Sequence, residues 1–198
     1  MHSNFRSGET SLTRLLNSEG AYGIIAQVLH WCVAALIFVQ IPLGLYGANL
    51  PFSPARLQWL SYHKSLGITI LGLLLLRLLW RWGDAPPALP GTMAPWERRT
   101  ALAIHRALYV VPLLAMLAGW LYASAVGLSV NWFGLVLIPD LIAKNAELAP
   151  LLKELHHGLV GLLVLLLVGH IGAAARHALV LHDNVVERML PFGWWENK

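Results

Sequence analysis

Four apolar runs, each about as long as a bilayer's hydrocarbon core is thick, constrain this chain more than any other feature. A helix rises about 1.5 Å per residue, so roughly 20 apolar residues cross a core about 30 Å thick. The runs lie at Ile24–Tyr46, Leu60–Trp82, Ala101–Val126 and His156–Leu181. Pro42 and Gly44 fall near the end of the first, and Pro112 and Gly119 inside the third. Membrane helices tolerate both residue types, and the second pair is expected to bend its helix. The expected fold is all-α: an integral membrane four-helix bundle, one domain over residues 1–198.

Charge agrees with lipid as the solvent. Only 12% of the 198 residues are charged, about half the share usual in soluble domains. The net charge of +4 is distributed by topology. Arg6, Arg14, Arg77, Arg81, Arg98, Arg99, Arg106, Arg176, Arg188 and Lys198 fall on one side of a four-span path. Arg56, Lys64, Lys144 and Lys153 fall on the other. This asymmetry places both termini in the cytoplasm and argues against nucleic acid as a partner. Trp80, Arg81 and Trp82 fit an interfacial belt.

The connections are short except one. Pro51 and Pro54 mark the external loop Gly47–Trp59, and the prolines of Gly83–Trp96 favour an extended connection. The external segment Gly127–Glu154 is the longest. Its Asn131-Trp132-Phe133-Gly134 and Ile138-Pro139 are expected to hold a short interfacial element, and Ala143–Leu155 a brief helix. The polar stretch Met1–Gly20 reads as a cytosolic tail without the pattern of a signal peptide. Cys32 is the sole cysteine and reads as a packing residue. With no Cys-x-x-Cys-His, any haem would be bound non-covalently.

Histidines inside the spans carry the functional information, because polar groups in lipid are costly. His156 and His170 lie fourteen residues apart on the last run. At about 100° per residue that spacing returns to within roughly 40° of the same face, with the rings roughly 21 Å apart along the axis. His157 lies roughly 140° from His170 and points elsewhere. The topology puts His30 at the depth of His170, and His63 at the depth of His156. Imidazole is a good axial ligand for haem iron, and facing helices hold cofactors in bundle cores. Two layers of paired histidines therefore point to two haems, each with both axial positions filled.

Other readings of the same residues are interhelical hydrogen bonds, a proton relay, or a haem-free transporter. A zinc or copper centre fits less well, since the layers are too far apart to share an ion and lack further ligands. His105, in Ile104-His105-Arg106, either replaces His30 or serves a quinone site. His177, one heptad beyond His170, is a second quinone-site candidate, and both also read as interfacial surface histidines. Gly158, Gly161, Gly169 and Gly172 either admit a flat macrocycle or pack against another helix. Arg77, Arg81, Arg106 and Arg176 either pair with haem propionates or anchor the membrane interface.

The ordered set of motifs resembles the bacterial cytochrome b561 family of four-helix di-haem membrane proteins. It runs from about Tyr22 to Pro191, through His30-Trp31, His63-Lys64-Ser65-Leu66-Gly67, Arg77-Leu-Leu-Trp-Arg81 with the following Pro-Pro, Trp132-Phe133-Gly134 and Gly169-His170. It closes on Asp183-Asn184 and Glu187-Arg188-Met189-Leu190-Pro191. The resemblance implies two haem b groups held by His30, His63, His156 and His170. It also implies one of two activities. Some relatives oxidise superoxide at the external face and reduce ubiquinone. Others are cytochrome b subunits connecting a hydrogenase or dehydrogenase to the quinone pool. The expected partners are membrane lipid, a quinone, and a small periplasmic donor or redox protein. The apolar outer faces would also tolerate a homodimer. Lys64, Lys153 and Arg56 are placed to attract an anionic donor, a field diluted by Asp140, Glu147 and Glu154.

Overall fold

The structure, a computed structural model, describes residues 15–91 and 93–190. The N-terminal stretch with Arg6 and Arg14 lies outside the described residues, as do Thr92, Pro191, Phe192-Gly193-Trp194-Trp195 and Lys198. Four long helices form the body: α1 (Ile24–Asn49), α2 (Pro54–Gly83), α3 (Pro95–Val126) and α4 (Leu148–Arg176). Each contains a stretch long and apolar enough to cross a membrane. The chain is thus a four-helix membrane bundle of the expected class.

Local chemistry sets the helix ends. Ser53 caps α2 by accepting the Arg56 N–H at 3.3 Å, and Pro54 occupies the first turn, where an N–H is unpaired anyway. Pro95 plays the same part in α3, whose Glu97 carboxylate accepts the Ala94 N–H at 3.1 Å. Gly127 ends α3 with φ 76°, a left-handed conformation that favours glycine.

One element differs from the sequence reading, and another takes a definite form. The brief helix expected at Ala143–Leu155 is not separate: α4 begins at Leu148 and runs on unbroken. Pro150 falls within its first turn, where its missing N–H leaves no hydrogen bond unmade. The expected interfacial element is a β-hairpin, with β1 (Val130–Trp132) antiparallel to β2 (Val136–Ile138). Its turn sets Phe133 at φ 49° and Gly134 at φ 77°, and the Leu135 N–H returns to the Trp132 carbonyl at 2.9 Å. Two positive φ values in the three-residue connection between Trp132 and Val136 match the twist of the strands it joins.

The hairpin is tied down on α2. Buried Ser65 donates to the Asn131 carbonyl at 3.1 Å and accepts the Phe133 N–H at 3.0 Å. The Trp132 indole N–H reaches Thr69 Oγ1 at 3.0 Å. Lys64 Nζ donates to the carbonyls of Leu128 and Ser129 at 2.8 and 3.1 Å. The opposite end of the bundle is closed by the C-terminal tail. Trp31 Nε1 donates to the Met189 carbonyl at 2.8 Å, and buried Gln27 reaches the carbonyls of Tyr22 and Arg188 at 2.9 and 3.3 Å.

The core runs along the bundle axis through Val33, Ile37, Ile70, Leu71, Leu74, Val111, Met116 and Leu163. Of α4, only Ala149 and Leu163 are buried, and its remaining apolar surface is available to lipid. Cys32 lies on the exposed face of α1, so it is not the packing residue the sequence suggested.

Candidate functional site

The histidines gather in two layers, one near each end of the bundle. Toward the hairpin end, α2 presents His63 and α4 presents His156, with ring centroids 6.2 Å apart. Each ring is fixed by a backbone carbonyl of a neighbouring helix. His63 Nδ1 lies 3.2 Å from the Gln40 carbonyl of α1, and His156 Nδ1 lies 2.8 Å from the Ala115 carbonyl of α3. A carbonyl only accepts, so both Nδ1 atoms carry the proton and both Nε2 lone pairs are free. The Gln40 side chain reinforces the contact by donating to the His63 carbonyl at 2.9 Å.

Toward the other end, His30 of α1 faces His170 of α4 with centroids 6.3 Å apart. His105 of α3 joins this layer at 5.4 Å from the His170 ring. No carbonyl holds His30: its Nδ1 is buried without a hydrogen-bond partner. Beyond this layer the guanidinium carbons of Arg77 and Arg81 stand 5.2 and 5.5 Å from the Tyr109 ring centre. Arg77, Arg81 and Tyr109 line a small hollow with Tyr22, Trp80 and Asp84.

The remaining sequence candidates separate from these layers. His157 is exposed, its ring 6.1 Å from that of His156. His177 lies in a π-helical turn after α4, and its Nδ1 donates to Asp183 Oδ2 at 2.7 Å. Arg176 pairs with Glu97 at 3.2 Å, and Arg106 is exposed. Arg56 is tethered to the Leu50 carbonyl at 3.1 Å. A Cβ at Gly158, Gly161, Gly169 or Gly172 would meet nothing within 4 Å, so these glycines do not serve helix packing. The glycines that do matter to the layers, Gly44 and Gly119, lie on the helices facing the histidines. Gln40, which the sequence reading passed over, is a buried amide in the middle of an apolar run.

The donor geometry fits haem. Metal–imidazole bonds of about 2 Å on either side of one ion set the two ring centres about 6 Å apart, as in both pairs. Among the described residues no three His, Cys, Asp or Glu side chains converge as a metal-ion cluster. Two opposed imidazoles without further protein ligands suit an iron whose other four ligands come from a macrocycle.

The chain is similar to known cytochromes. The model of the prokaryotic cytochrome b561 family matches residues 21–192. Cytochrome b561 homolog 2 of Escherichia coli (strain K12) is 30% identical over 88% of this chain and 93% of its own length. Cytochrome b561 homolog 1 of the same organism is 28% identical over 82% of this chain and 93% of its own length. A probable superoxide oxidase, CybB, of Yersinia pestis is 29% identical over 86% of this chain and 96% of its own length.

Proposed function

Because the chain belongs to the prokaryotic cytochrome b561 family, we propose that it is a two-haem electron-transfer protein that oxidises superoxide, or a similar small periplasmic donor, and reduces ubiquinone. Family membership makes it a multi-pass inner-membrane b-type cytochrome working in electron transfer. The number of haems, the donor and the acceptor are the further reading. The observation that carries it is the pair of opposed imidazole couples at 6.2 and 6.3 Å.

His63 and His156 would hold one haem b, and His30 and His170 the other. Bound haem would supply reversible one-electron chemistry. The chain's own residues do the rest. The Gln40 and Ala115 carbonyls orient one pair of ligands. The bundle core keeps water from the space between the layers. The distribution of Arg and Lys supports an orientation with the hairpin end outside and both termini in the cytoplasm. His105 and His177 then lie toward the cytoplasmic end, where ubiquinone would be reduced. In balance, two superoxide anions give two molecules of dioxygen, and two electrons with two protons convert ubiquinone to ubiquinol.

The relative described as a probable superoxide oxidase supports the choice of donor. The test is ubiquinol formation by the purified protein under a steady enzymatic supply of superoxide. Ubiquinol should form in step with superoxide loss, and His156→Ala should abolish it. Full haem content with no ubiquinol formed would count against superoxide and move the reading to a protein donor.

A further inference from the structure

The carbonyls that hold His63 and His156 share a feature beyond their hydrogen bonds. Gln40 is followed four residues later by Gly44, and Ala115 four residues later by Gly119. In an α-helix the carbonyl of residue i points at the N–H of residue i+4, so the side chain of i+4 stands beside that oxygen. A bulky group that reaches the oxygen's second lone pair from that side meets the side chain of i+4 unless it is absent. A Cβ on Gly44 would lie 2.5 Å from His63 Cε1 and 2.7 Å from its Nδ1. On Gly119 it would lie 3.0 Å from His156 Cε1 and 3.1 Å from its Nδ1. The same recess thus occurs on two helices, each beneath one ring of the same layer.

The other layer lacks this arrangement, since His30 Nδ1 is buried and unpartnered. An imidazole that donates its Nδ1–H to a carbonyl is a more basic, more electron-donating ligand. Stronger donation favours ferric over ferrous iron and so lowers the reduction potential. Arg77 and Arg81, at the other end, add positive charge that favours the reduced state there.

We propose that Gly44 and Gly119 are positioning residues: each opens a recess that seats a ligand histidine on the carbonyl four residues earlier, making the His63/His156 layer the lower-potential of the two. This rests on the two-haem reading. It sets the preferred resting place of an electron at the His30/His170 layer, so that transfer from the hairpin end toward the termini is downhill.

The test is redox potentiometry with low-spin EPR on the purified holoprotein, comparing the wild type with Gly44→Ala, Gly119→Ala and Gly72→Ala. Gly72 has nothing within 4 Å of its Cβ position and lies on the exposed face of α2. Gly44→Ala and Gly119→Ala should each raise the midpoint and shift the EPR signal of the same, lower-potential haem. Its retention should fall about 10- to 100-fold, with the other haem unchanged and Gly72→Ala like the wild type. If Gly44→Ala does not assemble, Gly119→Ala decides alone, because at 3.0 Å the His156 ring needs to give only a few tenths of an ångström. The proposal is overturned if both potentials stay put while only thermal stability falls. It is equally overturned if the two variants move different haems, or if the higher-potential one responds. A haem-free wild type would overturn the two-haem reading itself, a distinguishable failure.

Discussion

The two histidine layers present nearly equal ring separations, 6.2 and 6.3 Å, yet are built from different materials. The hairpin-end layer is held by main chain: two carbonyls, two glycine recesses, and a hairpin pinned to the helix that carries His63. The other is built from side chains: a third histidine, two arginines stacked on Tyr109, and a His30 whose Nδ1 has no partner. Equal spacing at the metal position therefore does not imply equal chemistry. A main-chain clamp fixes ring orientation and tautomer together, whereas a side-chain cluster leaves room for charge and for exchange among neighbours.

The comparison breaks most sharply at the ligands. His63→Ala or His156→Ala should each remove one of two haems per chain, and His157→Ala should leave both, as measured by pyridine haemochrome. Loss of one haem in His157→Ala would mean that the exposed neighbour, not His156, faces the layer.

A finer cut lies within the three-histidine layer. His30→Ala should lose one haem while His105→Ala keeps two, shifting only the EPR signal of one of them. The 5.4 Å separation of His105 from His170 is shorter than two imidazoles on opposite sides of one ion require. The reverse pattern would make His105 the ligand and His30 its neighbour.

Smaller effects should follow stability rather than haem. Ser65→Ala strands the Phe133 N–H and the Asn131 carbonyl beneath the hairpin, which should cost about 2 kcal/mol. Thermal unfolding in detergent and proteolysis across 130–138 would register it. No change in either would mean that Trp132 and Lys64 hold the hairpin without Ser65. Arg176→Gln removes a partly exposed pair with Glu97 and should alter stability by less than about 1 kcal/mol.

The side-chain layer and the helix pattern were more legible in the sequence than the main-chain layer. Fourteen residues is nearly a whole number of helical turns, so His156 and His170 could be placed on one face from periodicity alone. His105 could likewise be placed at the depth of His170. The Gln40 and Ala115 carbonyls could not be anticipated, because every residue has a carbonyl and only tertiary packing selects which one a distant ring meets. Gly44 and Gly119 were read as tolerated helix breakers, since their use becomes visible only when His63 and His156 are seen above them. The hairpin escaped because Phe133-Gly134 lacks the Asn-Gly or Asp-Gly signal usual for its turn. The brief helix expected at Ala143–Leu155 is instead the start of the last span, which begins at Leu148 and passes through Pro150, since a proline in the first turn breaks nothing.

The central claim is that each layer holds one haem b. A reduced-minus-oxidised absorption spectrum of the detergent-purified protein, with pyridine haemochrome quantitation per chain, tests it most directly. The account predicts two b-type haems per chain. One haem, or none from cells able to supply it, would contradict it.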